Sequence, residues 1–208
     1  MSFGERMAGV VGPLSGKAKG APFCGARATP PIVVHGVLVQ VSGLGVLIMG
    51  DSGTGKTACG LELVGRGGLW VADDAVVLER RGGVLYGRGH ERTKKWIAVR
   101  GRGILAARSL LRAETLLDET RVHLLIRLIR SSAEKGVVRD GETRSFLEIA
   151  GMTLSCRRVA AGGPSAKTAD EVIGCVGEYL AWEKRGPTEE GNDETDARGN
   201  HHGIVRFG

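Results

Sequence analysis

Aromatic side chains are scarce, making up only 4% of the 208 residues. The core must therefore be packed by Leu, Val and Ile, and a nucleic-acid surface that stacks bases on rings has little to build from. Cysteine is also sparse. Cys24, Cys59, Cys156 and Cys175 form no C-x-x-C pair and have no His at zinc-ligand spacing, which argues against a metal cluster and for four separate thiols. Long apolar runs are missing too. The longest, residues 32–49, is broken by His35, Gln40 and Ser42-Gly43, so no membrane-spanning segment is expected. With no secretory leader pattern either, the chain is expected to be cytoplasmic, where thiols stay reduced.

What is present fits one soluble domain with a real core: 42% hydrophobic and 25% charged residues, with 34 glycines that imply many turns. The formal charge of +6 favours anionic partners, be they nucleotides, acidic protein faces or nucleic acid. Eight basic residues (Arg88, Arg92, Lys94, Lys95, Arg100, Arg102, Arg108, Arg112) fall in one span whose only acid is Glu91. That span reads as a solvated basic face or a docking surface. Trp96 is its only aromatic residue, which gives nucleic acid little support.

The stretch that organises the chain is Gly50-Asp51-Ser52-Gly53-Thr54-Gly55-Lys56-Thr57, which satisfies G-x-x-x-x-G-K-[ST] at every defined position. The glycines let the backbone turn with positive φ, so that successive N–H groups face inward toward phosphate oxygens. Lys56 would reach the terminal phosphates, Thr57 would offer its hydroxyl to Mg²⁺, and the following helix N-terminus adds favourable partial charge. The flanks agree. Residues 46–49 form a buried-strand pattern and residues 58–64 have helical spacing. A glycine-rich turn capped by Thr57 is the plain alternative.

Residues 1–31 read as a flexible arm, and residues 33–41 as a strand that turns at 42–45 into the strand before the loop. Residues 69–72 predict a strand running into Asp73-Asp74. Side chains of neighbours on an extended chain point to opposite faces, so one carboxylate can serve a metal and the other a hydroxyl. A hairpin is expected from strands 76–78 and 84–86. Residues 122–129 fit either a half-buried strand or a short helix. Residues 131–144 read as a loop, residues 149–156 as a strand followed by Arg157-Arg158, and residues 160–167 as a turn. Thr168-Ala169-Asp170-Glu171 opens a helix through Val172, Val176 and Leu180. Residues 185–208, with His201-His202, read as a flexible tail around one catalytic domain at 32–184.

Four stretches, in order and in register, resemble the catalytic domain of HPr kinase/phosphorylase: His35-Gly36-Val37-Leu38, the glycine loop, Val71-Ala72-Asp73-Asp74, and Val99-Arg100-Gly101-Arg102-Gly103-Ile104. The resemblance implies an α/β fold, a P-loop kinase domain with a mixed β-sheet flanked by helices and similar to phosphoenolpyruvate carboxykinase. It implies an ATP- and Mg²⁺-dependent serine kinase acting on the phosphocarrier protein HPr, which in the family also uses pyrophosphate and runs a phosphorolysis in reverse. Many members are hexamers, and most carry an N-terminal domain for which residues 1–31 leave no room. Carried over by position, Asp73 is the general base, His35, Asp74 and Lys56 complete the catalytic cluster, and Thr57 with Asp74 holds Mg²⁺. Arg100 and Arg157 join Gly50, Asp51, Ser52, Gly53, Thr54, Gly55, Lys56 and Thr57 in binding the nucleotide.

Two carboxylates usual in the family are missing, because the Glu expected two residues before Arg100 is Ala98 and the Glu expected after Thr57 is Ala58. Mg²⁺ needs only one or two protein carboxylates, so Thr57, an Asp and substrate phosphates can suffice, with weaker metal binding as the cost. Residues 155–163 also lack the Pro- and Gly-spaced arginines of typical members. Beside the HPr kinase stand a kinase of another substrate on the same fold and a nucleotide-binding regulatory module that has lost catalysis.

Overall fold

The computed structural model describes residues 30–130, 145–185 and 205–206. The arm over 1–29, the loop over 131–144, His201-His202 and most of the tail lie outside the described residues.

Three layers make up the molecule. The central one is a mixed sheet that runs β4 (Leu69–Ala72), β2 (Val37–Val41), β3 (Leu44–Gly50), β9 (Glu119–Arg130), β11 (Met152–Ala161) and β10 (Ser145–Ile149). β3, β9 and β11 are mutually parallel, and the rest of that sheet pairs antiparallel up to β10. On one face lie α1 (Lys56–Gly65) and α3 (Ser165–Arg185). On the other lies a strand layer of β1 (Ile32–His35), β5 (Ala75–Arg81) and β6 (Val84–Gly89). Among the described residues, the helices thus flank the sheet on one side.

The sandwich explains why its strands read as unbroken apolar runs. Val37, Val39, Val46, Ile48 and Ile126 face the helices, whereas Leu38, Leu47 and Leu125 face the lower strands. Both faces are dry, so alternation disappears. Burying each such side chain contributes about 1.5–3 kcal/mol, and the aliphatic composition is sufficient for two cores. Two-residue turns with both central φ positive close the hairpins at Ser42-Gly43, Gly82-Gly83 and Ala150-Gly151, the conformation that matches strand twist.

β9 resolves the ambiguity of residues 122–129 in favour of a strand, one long enough to belong to two layers. Its first residues pair with β6, and its remainder lies between β3 and β11. The passage is made at a bulge where Gly45 pairs with Val122 and Val46 with Leu124. His123 is the extra residue, and its Nδ1 accepts the Gly45 N–H at 3.0 Å, which keeps the interrupted ladder satisfied.

Several boundaries differ from expectation. The strand expected over 33–41 is two strands in two layers, broken at Gly36, where an added Cβ would lie 2.8 Å from the Ile48 carbonyl oxygen. Residues 149–156 span a turn rather than one strand. Ala150-Gly151 separates β10 from β11, and periodicity cannot see a two-residue turn inside an apolar run. The last helix begins three residues before the expected cap, so Thr168 is buried inside it rather than capping it. The tail contributes Val205–Arg206 as a short strand (β12) parallel to β10. The basic span forms a separate hairpin, β7 (Trp96–Val99) with β8 (Gly103–Ala106), followed by a one-turn helix α2 (Ala107–Leu110).

A Cβ added to Gly45 would fall 1.9 Å from the Arg121 carbonyl oxygen, with no left-handed φ involved. Gly45→Ala must therefore push β3 off β9 at the bulge, and a loss of about 2–3 kcal/mol in urea unfolding is expected. Gly43→Ala, at φ 81 with nothing within 4 Å, should cost only about 1–2 kcal/mol.

Candidate functional site

β3 ends at Gly50, and α1 begins at Lys56. Between them the loop turns through positive φ at Gly50 (146°), Gly53 (76°) and Gly55 (93°). The Thr54 hydroxyl and backbone N–H both donate to the Asp51 carbonyl oxygen, at 2.8 and 3.3 Å, so the loop closes on itself. Lys56 is buried at 7% exposure, and its Nζ donates to the Gly50 and Asp51 carbonyl oxygens at 2.9 Å each. Burial lowers its proton affinity, opposed by Asp73, Asp74 and Asp51. An ammonium whose partners among the described residues are two neutral carbonyls under a glycine loop is poised for an anion.

Asp73, just past the end of β4, is 3% exposed. Its Oδ1 accepts from the Thr57 hydroxyl at 3.0 Å and its Oδ2 from the Ala98 backbone N–H at 2.8 Å. Three elements meet at this carboxylate: the start of α1, the end of β4 and the β7–β8 hairpin. Burial raises its proton affinity, and the bonds from Ala98 and Thr57 oppose the rise without cancelling it. A carboxylate in such a position can accept a proton from a hydroxyl brought to the loop.

The next residue leaves in another direction. Asp74 has φ 67, and the Ala75 N–H donates to the Asp73 carbonyl oxygen at 2.8 Å, a three-residue turn that carries backbone strain. The two carboxylates diverge through this turn, not through extended alternation. Asp74 is exposed and lies with its Oδ1 3.0 Å from His35 Nδ1, which is also 3.1 Å from the Asp74 carbonyl oxygen. Gly36 N–H donates to that same carbonyl oxygen at 3.2 Å. His35 and Asp74 are thereby fixed to each other across β1 and the β4–β5 turn.

A model of the family described as HPr Serine kinase C-terminal domain matches residues 27–173. The chain belongs to this family. It is 39% identical over 127 residues to the HPr kinase/phosphorylase of Clostridium novyi, covering 61% of this chain and 41% of that protein. It is 32% identical over 145 residues to that of Mycoplasma pneumoniae, covering 69% and 46% respectively. The chain thus spans less than half the length of these relatives. The solved structure of the Hpr(Ser) kinase/phosphatase from Coxiella burnetii superposes with a TM-score of 0.64 at 22% identity, covering 74% of this chain and 99% of that one. That likeness establishes the fold, a central mixed sheet flanked by helices.

Within the HPr kinase domain the expected residues divide into groups. The loop, Lys56, Thr57 and Asp73 share one hydrogen-bonded cluster, and His35 with Asp74 forms a second pair next to it. Thr57 contacts Asp73, the expected base, rather than Asp74, its expected partner for metal. Arg100 is exposed in the turn between β7 and β8. Arg157 lies on β11 beneath α3, where Nη2 is 3.4 Å from Glu178 Oε2. Thr57 and the adjacent carboxylates are hard oxygen donors of the kind Mg²⁺ takes alongside phosphates and water, so the donor chemistry fits that ion. No helix among the described residues is long and apolar enough to cross a membrane.

Two contributors escape sequence reasoning. Arg130, at the end of β9, donates from Nη2 to the Ser52 carbonyl oxygen at 2.8 Å and so supports the loop from outside. Its only signal is its place on a strand that turns out to lie beside β3. The other is the backbone of Ala98, which any residue except Pro could supply.

Because the folded state holds the Asp73 proton more tightly than the unfolded chain, stability from this group is greatest at low pH. It is lost as pH rises from the ordinary carboxylate range through the raised value. Asn keeps an acceptor for the Ala98 N–H and avoids the buried charge. Asp73→Asn is therefore expected to raise Tm at pH 7.5, with the gain shrinking as pH is lowered toward 4; an equal gain at all pH values would contradict this account.

Proposed function

We propose that this chain is a nucleotide- and Mg²⁺-dependent kinase that phosphorylates a serine of an HPr-like phosphocarrier protein. The observation that carries the reading is the convergence of Lys56, Thr57 and Asp73 at the mouth of the glycine loop. Family membership and the names of the relatives support the acceptor. We read the loop as a P-loop and the fold as similar to phosphoenolpyruvate carboxykinase.

In this reading the loop N–H groups and Lys56 hold the phosphate chain, with Lys56 exchanging its two carbonyl contacts for phosphate oxygens. Thr57 and Asp74 would hold Mg²⁺, which when bound would supply neutralisation of charge on the terminal phosphates. Asp73 takes the proton as the serine oxygen bonds to the γ-phosphorus and the bond to the bridging oxygen breaks, releasing ADP. His35 orients Asp74. Its raised proton affinity also suits Asp73 to return the proton in phosphorolysis. Arg100 and the exposed Trp96 and Ile104, all on the β7–β8 hairpin that touches Asp73, form the surface on which the acceptor protein docks.

One observation favours a second reading, a nucleotide sensor without turnover. Ala98 stands directly beside Asp73 without the carboxylate usual there. Both readings are tested by Mg²⁺-dependent transfer of the ATP γ-phosphate to a phosphocarrier protein from the same source. The kinase is expected to label serine, and Asp73→Asn to lower the rate about 10²–10⁴-fold while nucleotide affinity stays within about twofold. Transfer only after Ala98→Glu would identify the sensor. Nucleotide binding with no transfer by either form would remove the acceptor assignment.

A further inference from the structure

The central sheet has two outer edges, and the chain covers both with short segments of its own. At one edge, β4, Trp70 forms a parallel bridge with Leu116, and the Leu117 N–H donates to the Trp70 carbonyl oxygen at 2.8 Å. At the other edge, β10, Leu147 and Glu148 pair in parallel with Val205 and Arg206 of β12. We infer that the outer edge of β10 is a binding site for an extended peptide, and that residues 203–208 of this chain are the peptide it takes, bound within the same molecule.

β10 is a strand that needs such cover. The unpaired N–H and C=O groups of an edge strand are a template on which another chain can pair. Ser145-Phe146-Leu147-Glu148-Ile149 has one charged residue and no proline to discourage that pairing, and Phe146 is 51% exposed. β11 pairs with all five residues from one side. Among the described residues, β12 is the strand that pairs from the other.

The sequence identifies the occupant. Residues 186–203 are polar and acidic, with Ala197 as their one aliphatic residue, and then Gly203 and Gly208 bracket Ile204-Val205-Arg206-Phe207. β-branched and aromatic residues, which suit strands, are thus gathered where the pairing occurs. Register agrees with residue type: Val205 stands opposite Leu147, and the basic Arg206 opposite the acidic Glu148. A slip of one residue either way would set an apolar residue, Val205 or Phe207, opposite Glu148. Residues 186–204 are long enough to reach any part of a domain this size. A segment tethered in this way has an effective concentration of about millimolar, so in dilute solution it fills the edge ahead of a second copy.

The test is amide hydrogen exchange of the full chain. Native residues 145–149 are expected to exchange slowly, and at the same rate over about a hundredfold range of protein concentration, because tethered pairing does not depend on it. The double variant Val205→Pro, Arg206→Pro removes both N–H groups of β12. It should speed exchange within residues 145–149 by about tenfold or more, while Leu117 at the opposite edge keeps its native rate. A synthetic peptide of residues 203–208, at about millimolar concentration, should restore slow exchange in that variant, and the same peptide carrying the two prolines should not. Arg206→Glu alone should also speed exchange, and Glu148→Arg in the same chain should slow it again. Native exchange at 145–149 in the proline variant overturns the inference, as does acceleration that extends to Leu117 or a peptide that restores nothing. Protection that rises with protein concentration would make a second copy the occupant, and failure of the charge exchange to rescue would remove the register; either result overturns the assignment.

Discussion

Two opposite charges, the Lys56 ammonium and the Asp73 carboxylate, are held out of water at the C-terminal end of one sheet, and much of the architecture answers to that cost. Among the described residues, neither is neutralised by a direct ion pair. Lys56 lies on two carbonyl oxygens, and Asp73 on a hydroxyl and an amide. Burial shifts both groups toward their uncharged forms, lowering the proton affinity of Lys56 and raising that of Asp73. Keeping them charged requires rigid neighbours. α1 supplies Thr57, the β7–β8 hairpin supplies the Ala98 N–H, and β3, clamped between β2 and β9, supplies the Gly50 carbonyl. Low-dielectric surroundings that make the Lys56 charge costly also strengthen its attraction for an anion.

The three-layer packing follows from this need. An exposed sheet edge would let water reach the loop from below, but β1, β5 and β6 cover the lower face with their own apolar core. That layer also brings His35 to the edge of the candidate site, because β1 ends at His35 and the chain crosses at Gly36 into β2. One glycine without room for a Cβ thus separates the strand that presents His35 from the strand that supports the loop. β9, passing between layers at the His123 bulge, ties the two cores into one cooperative unit.

Local chemistry was legible in the sequence wherever a motif forces a conformation. The loop glycines, the α1 helix and the β2–β3 hairpin follow from residue types alone, and the resemblance adds the pairing of His35 with the Asp73-Asp74 region. What was not legible depends on which strands become neighbours. Arg130 reads as an ordinary basic residue until β9 is placed beside β3. Arg157 looks like a phosphate ligand beside Arg158, yet its side chain faces α3 and meets Glu178, because strand alternation sends adjacent residues to opposite faces. The Ala150-Gly151 turn is hidden for a related reason. Ala150 and Gly151 are small residues set among Ile149, Met152 and Leu154, so the turn interrupts the apolar stretch without any polar residue to announce it.

Ala98 shows how a carboxylate can be absent from this position while the geometry around Asp73 persists. The contact made here runs through the backbone amide, so it constrains where β7 lies but not which side chain it carries. Side-chain chemistry at residue 98 is therefore separable from the placement of Asp73, and a change of residue there alters the charge around the site without moving its central carboxylate. With Ala at 98 and at 58, the acids that act on Lys56 among the described residues are Asp51, Asp73 and Asp74, set against Arg130 and the basic hairpin. The balance leans positive, which favours capture of a polyanion over retention of a free cation. On the proposed kinase reading, this electrostatic constraint means that a divalent ion would be more readily gained together with the phosphates than ahead of them.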